Sequence, residues 1–281
     1  MLISLRLGSF CLLHLATAMA NAQEALVPAQ PGVEVPAKNP PSAAPAIEKL
    51  DAHRFRLGKI EFNQAARTVE LPVAANTTAG QLEYILVHTE GKAHESLFTT
   101  VVSPTDFNVV LLLLNWKKSD AMFDFSQPER GGVLREKAEH IPESKLEISL
   151  KWMDEAGKEQ LTPVEAWIHN IEQRAKISKG PFIYTGSYVG PDGVYMAQTG
   201  GSFIALYADP TAVINNPRAG NSSDDIWIPD PDMPTKGTPM TMILRAPAAK
   251  EKPAAPAASG PATAKPAAPA PAVKKAPPRK K

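Results

Sequence analysis

Cysteine is nearly absent: Cys11 is the only one in 281 residues. A disulfide scaffold, a Cys-ligated zinc and an iron–sulfur cluster are therefore excluded. No run of 18 or more uncharged apolar residues follows the N-terminus, which argues against a spanning helix. Net charge is also scarce, with 30 Lys or Arg against 29 Asp or Glu. That near balance hides an asymmetry. Residues 246–281 carry eight basic side chains and one Glu, a net of +7, whereas 48–245 carry 20 basic and 26 acidic, a net of −6. Beyond residue 22, aromatic residues are missing from both ends of the chain and all lie between 48 and 245.

Proline, by contrast, is plentiful, with 28 in the chain, and it marks out the organisation. Met1–Ala22 reads as a secretory signal peptide. Arg6 supplies the positive end, an apolar stretch runs from Leu7 to Leu15, and Ala20-Asn21-Ala22 gives small residues for cleavage before Gln23. An uncleaved anchor or a buried helix is the alternative. Cys11 lies inside the apolar stretch after Phe10, unlike a lipid-modified cysteine. Residues 23–47 hold six Pro and no aromatic residue, so they read as an extended, disordered linker. Residues 246–281 hold fourteen Ala and nine Pro with Lys between them. They read as a disordered basic tail, because recurring Pro removes donors and breaks helix.

Residues 48–245, with four Trp, five Tyr and eight Phe, suffice for one sizeable core. The dominant period is two. Phe55–Phe62, Thr68–Val73 and Leu146–Trp152 alternate as half-buried strands. Leu82–His88, Glu95–Val102, Pro181–Gly186, Val194–Gln198, Ser202–Tyr207 and Thr238–Leu244 are further candidates, separated by turn signals such as Gly190-Pro191-Asp192-Gly193. Two helices interrupt them. Ser103-Pro104 begins one that runs through Val109–Leu114 without a polar face and should be buried all round, a buried strand being the alternative. Thr162-Pro163-Val164-Glu165 reads as a capping box opening a helix over 163–174 that buries Trp167 and Ile171. The expected fold class is α+β: a mostly antiparallel sheet with about two helices, between disordered arms.

Candidate chemistry is sparse. Gly91-Lys92-Ala93-His94-Glu95-Ser96 is the densest polar cluster. His94, Glu95 and Ser96, with Ser187 nearby, could serve a hydrolase. Read as a strand start, the same residues put His94 and Glu95 on opposite faces and leave only turn chemistry. HExxH zinc, GxSxG and phosphate-loop patterns are all missing. Asp224, Asp225, Asp230 and Asp232 could offer oxygen ligands to Ca²⁺, though their spacing fits no known loop template. No cofactor is implied. The basic tail 246–281 suits an anionic envelope polymer or a lipid surface, or serves as a spacer without a partner, and nothing points to a specific nucleic acid.

Three strings, Gly91-Lys92-Ala93-His94-Glu95-Ser96-Leu97, Leu111–Leu114 with Asn115, and Phe182-Ile183-Tyr184-Thr185-Gly186-Ser187, resemble the YdjY domain family of bacterial envelope proteins. Gly237-Thr238-Pro239-Met240-Thr241 is similar to that family's entry into its last strand. The resemblance covers roughly 55–245 and implies a secreted or periplasmic domain with no established activity. Where the family usually has Gly after the leucine run, this chain has Asn115. The leading expectation is an envelope module that binds or scaffolds; the rival is an envelope hydrolase using His94, Glu95 and Ser96.

Overall fold

The computed structural model describes residues 46–127 and 131–248. The expected signal peptide, nearly all of the linker and the tail from residue 249 lie outside them. Ile47, placed by the sequence in the linker, belongs to the first strand.

That strand, β1 (Ile47–Lys49), pairs with β2 (Arg54–Leu57), which turns into β3 (Ile60–Asn63). The expected single strand Phe55–Phe62 is thus a hairpin. Gly58 at its tip has φ 58°, where glycine escapes the Cβ clash that other residues meet. Next come β4 (Thr68–Ala75), β5 (Tyr84–His88) and β6 (Ser96–Thr100), then α1 (Pro104–Leu113). A short pair, β7 (Phe123–Asp124) and β8 (Val133–Leu134), precedes the long β9 (Lys145–Met153) and β10 (Glu159–Pro163). Then follow β11 (Ile168–Asn170), β12 (Ala175–Lys176), β13 (Phe182–Tyr184) and α2 (Met196–Gly200). The chain ends through β14 (Ser202–Ala205), β15 (Ile214–Asn215), β16 (Trp227–Pro229) and β17 (Pro239–Arg245).

The expected α+β sheet is replaced by a closed barrel; the described residues are mostly β, 36% strand against 12% helical. The ring runs β4-β17-β9-β13-β15-β14-β5-β6 and closes by β6 pairing back onto β4 at Ala74–Thr99 and Ala75–Phe98. Two of its pairings, β5–β6 and β14–β15, are parallel. Closure removes the open edges a flat sheet would expose. The inside is filled. Val69, Leu71, Val73 and Ala75 of β4 alternate inward and meet Met240, Met242 and Leu244 of β17. Phe98 lies 5.9 Å from Trp167, and Trp167 lies 5.9 Å from Trp152.

Local signals decide α1. Ser103 accepts the N–H of Asp106, and Pro104 takes the first helical position. Asn115 follows with φ 58°, serving in the left-handed position that commonly ends a helix and that Asn tolerates better than most residues. The helix is not buried all round: Phe107, Val110 and Leu111 face the core, while Leu112 is 53% exposed. The expected helix over 163–174 is absent. Thr162 accepts the Trp152 indole N–H at 3.2 Å instead of capping, and one 3-10 turn, Val164–Trp167, leads straight into β11. There Ile168–Asn170 pair with Trp227–Pro229, leaving Ile171 exposed. The expected strand at Val194–Gln198 is mostly α2, which ends on Gly201 in the left-handed conformation.

Candidate functional site

The Gly91–Ser96 motif is a return path. Parallel β5 and β6 align Tyr84 with Ser96 and His88 with Thr100. Parallel neighbours usually need a connection of about a dozen residues or more. Here residues 89–95 must run back about 13 Å beside β5. Tight packing makes that possible. A Cβ on Gly91 would sit 2.9 Å from the Gly200 carbonyl oxygen, and His88 N–H donates to Gly201 O at 2.8 Å. Asn76 clamps the far end, its amide nitrogen donating to the carbonyls of Ala93 and, at 2.8 Å, Ser96.

The return brings Lys92 back over the start of β5. Its Nζ donates to Tyr84 Oη at 2.9 Å and lies 3.6 Å from both Glu83 Oε2 and Glu95 Oε1. Tyr84 Oη donates onward to Asp209 Oδ2 at 2.9 Å. Thr211 Oγ1 also donates to that carboxylate, at 2.7 and 2.8 Å. Two carboxylates thus flank one ammonium, and a third, Asp209, is reached through the Tyr84 hydroxyl. Burial, with Glu95 beside it, raises the Glu83 carboxyl above its usual range. Burial first, and Asp209 second, hold the Tyr84 phenol protonated far above its ordinary value.

The sequence candidates distribute unevenly around this cluster. Glu95 belongs to it. His94 and Glu95 sit in a 3-10 turn, Ala93–Glu95, not on a strand, so the alternation expected to separate them does not apply. His94 Nε2 is 3.5 Å from Glu95 Oε2, with the imidazole 81% exposed. Ser96 is fully buried and donates to Phe98 O at 2.8 Å. Ser187 accepts the Ala197 N–H at 3.1 Å, with its backbone at φ 54°. Neither serine hydrogen-bonds His94 or Glu95 among the described residues.

The four aspartates divide. Asp230 and Asp232 share Lys176 at 3.1 and 3.8 Å, and Asp225 accepts from Ser223 Oγ. Among the described residues no group of three or more His, Cys, Asp or Glu could hold a metal ion, and no helix is long and apolar enough to cross a membrane. Glu83, Tyr84, Asp209 and Thr211 were missed by sequence reasoning. The strand period placed Tyr84 correctly, but nothing local tied it to Asp209, 125 residues away.

A family model for the YdjY domain matches residues 60–245, and the chain belongs to that family. The match takes in all eight barrel strands and the Gly91–Ser96 return. Comparison with curated proteins and with solved structures returned no match.

Proposed function

We propose that this is an exported cell-envelope protein whose YdjY barrel binds or scaffolds and does not catalyse. The observation carrying this reading is the use made of the motif. Ser96 and the backbone of residues 93–96 hold the return path, and Lys92 and Glu95 belong to an ion cluster whose ammonium, phenol and Thr211 hydroxyl are all committed to neighbouring oxygens. The signal-like leader and the lack of cysteine beyond Cys11 support export. The +7 tail supports attachment to an anionic envelope polymer or lipid surface.

Deleting residues 246–281 is expected to leave the melting temperature within about 1 °C, since exposed ion pairs contribute little. It should abolish sedimentation with isolated envelope material at low salt. For the full chain, that sedimentation should fall steeply with salt, because screening acts over about 8 Å at physiological ionic strength. Retention of the truncated protein would overturn the role of the tail.

One contact favours a hydrolase: Ser119 Oγ lies 2.9 Å from His140 Nδ1, and burial lowers that imidazole's pKa. Against it, Ser119 is 6% exposed, and no carboxylate among the described residues pairs with the ring. Replacing His94 by Ala separates the readings as first framed. Its exposure predicts a stability change within about 0.5 kcal/mol. Any hydrolysis of model esters by the wild type that the His94→Ala variant loses would restore the enzyme reading.

A further inference from the structure

Helix α1 is apolar on nearly every side, yet one side lies open. A helix of that composition is normally covered all round. Phe107, Val110 and Leu111 face the core, whereas Val109, Leu112 and Leu113 are 37%, 53% and 38% exposed. Helical spacing puts these three on one stripe, and Asp106, three residues before Val109, stands at its N-terminal end. Among the described residues no hydrogen bond or ion pair reaches the Asp106 carboxylate, and burial raises its pKa. The open face therefore joins an aliphatic strip to one unpaired acid.

The C-terminal arm leaves the barrel beside it. Arg245 stands in register with Thr68. The residue before Thr68, Arg67, donates to the carbonyls of Leu114 and Asn115 at 3.1 and 3.4 Å, at the C-terminal end of α1. Ala246 then packs against the same core as Phe107 and Val110. From there to Asp106 is about 10 Å along the helix plus one or two strand spacings of about 4.8 Å. An extended chain at about 3.1 Å per residue covers that in about five to seven residues, which arrives at Lys252.

We propose that residues 249–253 seat on the open face of α1, where the Lys252 ammonium pairs with Asp106 and Ala249, the Lys250 stem and Pro253 cover Val109, Leu112 and Leu113. Long basic side chains readily lay their stems on apolar surface. Neighbouring side chains of an extended chain point apart, so Glu251 stays in solvent. The seat gives the arm a fixed root, while six of its eight basic residues lie beyond Pro253 and stay free for an anionic surface. It is independent of that attachment, because a chain ended at Pro253 keeps the seat and loses most of the charge.

The test compares amide chemical shifts of the full chain with those of chains ended at Ala248 and at Pro253. Ending at Ala248 should move the amides of 109–113; ending at Pro253 should leave them as in the full chain while sedimentation with envelope material is lost. In the full chain, Lys252→Gln should move them at least about half as far as the Ala248 truncation, and Lys252→Arg should not. Asp106→Asn should shift the amides of 249–252 in turn. Unmoved 109–113 amides on ending at Ala248 overturn the proposal, and so does a Lys252→Gln spectrum that matches the wild type there. Movement of those amides only on removal of residues 23–44 would make the linker the occupant, and movement that grows with protein concentration would make it a second copy; either result overturns the seat.

Discussion

Replacing Arg218 by Met is expected to lower the free energy of unfolding by about 3–5 kcal/mol, the usual effect of breaking one side of a buried ion pair. For a domain of this size that is about 6–20 °C in Tm. The side chains of Arg218 and Glu165 are 11% and 8% exposed. The guanidinium donates to Ser178 O at 2.7 Å, Gly180 O at 2.6 Å and Asn216 Oδ1 at 3.1 Å. It also stacks 4.4 Å above the Phe182 ring. Burial draws its pKa down while Glu165 opposes the shift. Met fills the space but strands the Glu165 charge and these acceptors. The double variant Arg218→Met/Glu165→Leu should recover part of the loss, because the uncompensated charge goes with its partner. Urea denaturation measures both. A single-variant loss below about 1 kcal/mol would place the pair among weak surface contacts.

Gly201→Ala should cost about 2–5 kcal/mol by two routes. At φ 66°, alanine bears a left-handed penalty of about 1–2 kcal/mol. Its Cβ would also lie 3.0 Å from His88 Cβ and 3.2 Å from Gly91 Cα, adding about 1–3 kcal/mol of overpacking. Gly91→Ala meets the backbone oxygen of Gly200, which cannot swing aside, and should lose about 1–3 kcal/mol. The two sites share one contact. The double variant should therefore depart from the sum of the singles. Strict additivity in chemical denaturation would show that the glycines do not meet as described.

Both glycines belong to features that the sequence announced only in part. Ser103, Pro104 and Asp106 act within one turn, so the start of α1 was legible. The hairpin at Gly58 was also announced, though by a detail easily passed over. Phe55 and Leu57 are odd-numbered, Ile60 and Phe62 even, and a change of parity marks a turn. Val164, Trp167, Ile168 and Ile171 keep a helical spacing, yet β11 exists because Trp227–Pro229, some 60 residues on, pair with it. Barrel closure was illegible for the same reason. It rests on partners such as Leu71–Met242 and Val73–Met240, whose link no local pattern carries. The motif around Lys92 was visible as a string. Its meaning was not, because Tyr84 and Asp209 supply the other half.

The position of β17 governs when the domain can form. The last strand in sequence is an interior stave, hydrogen-bonded along its length to β4 on one side and β9 on the other. During synthesis, β4 and β9 must wait for it with apolar residues and backbone groups uncovered. Such long-range pairing slows folding to milliseconds or seconds, and unpaired strands invite association between chains. A nascent chain stopped before Pro239 has no barrel to close, and one completed to Arg245 gains both missing pairings at once.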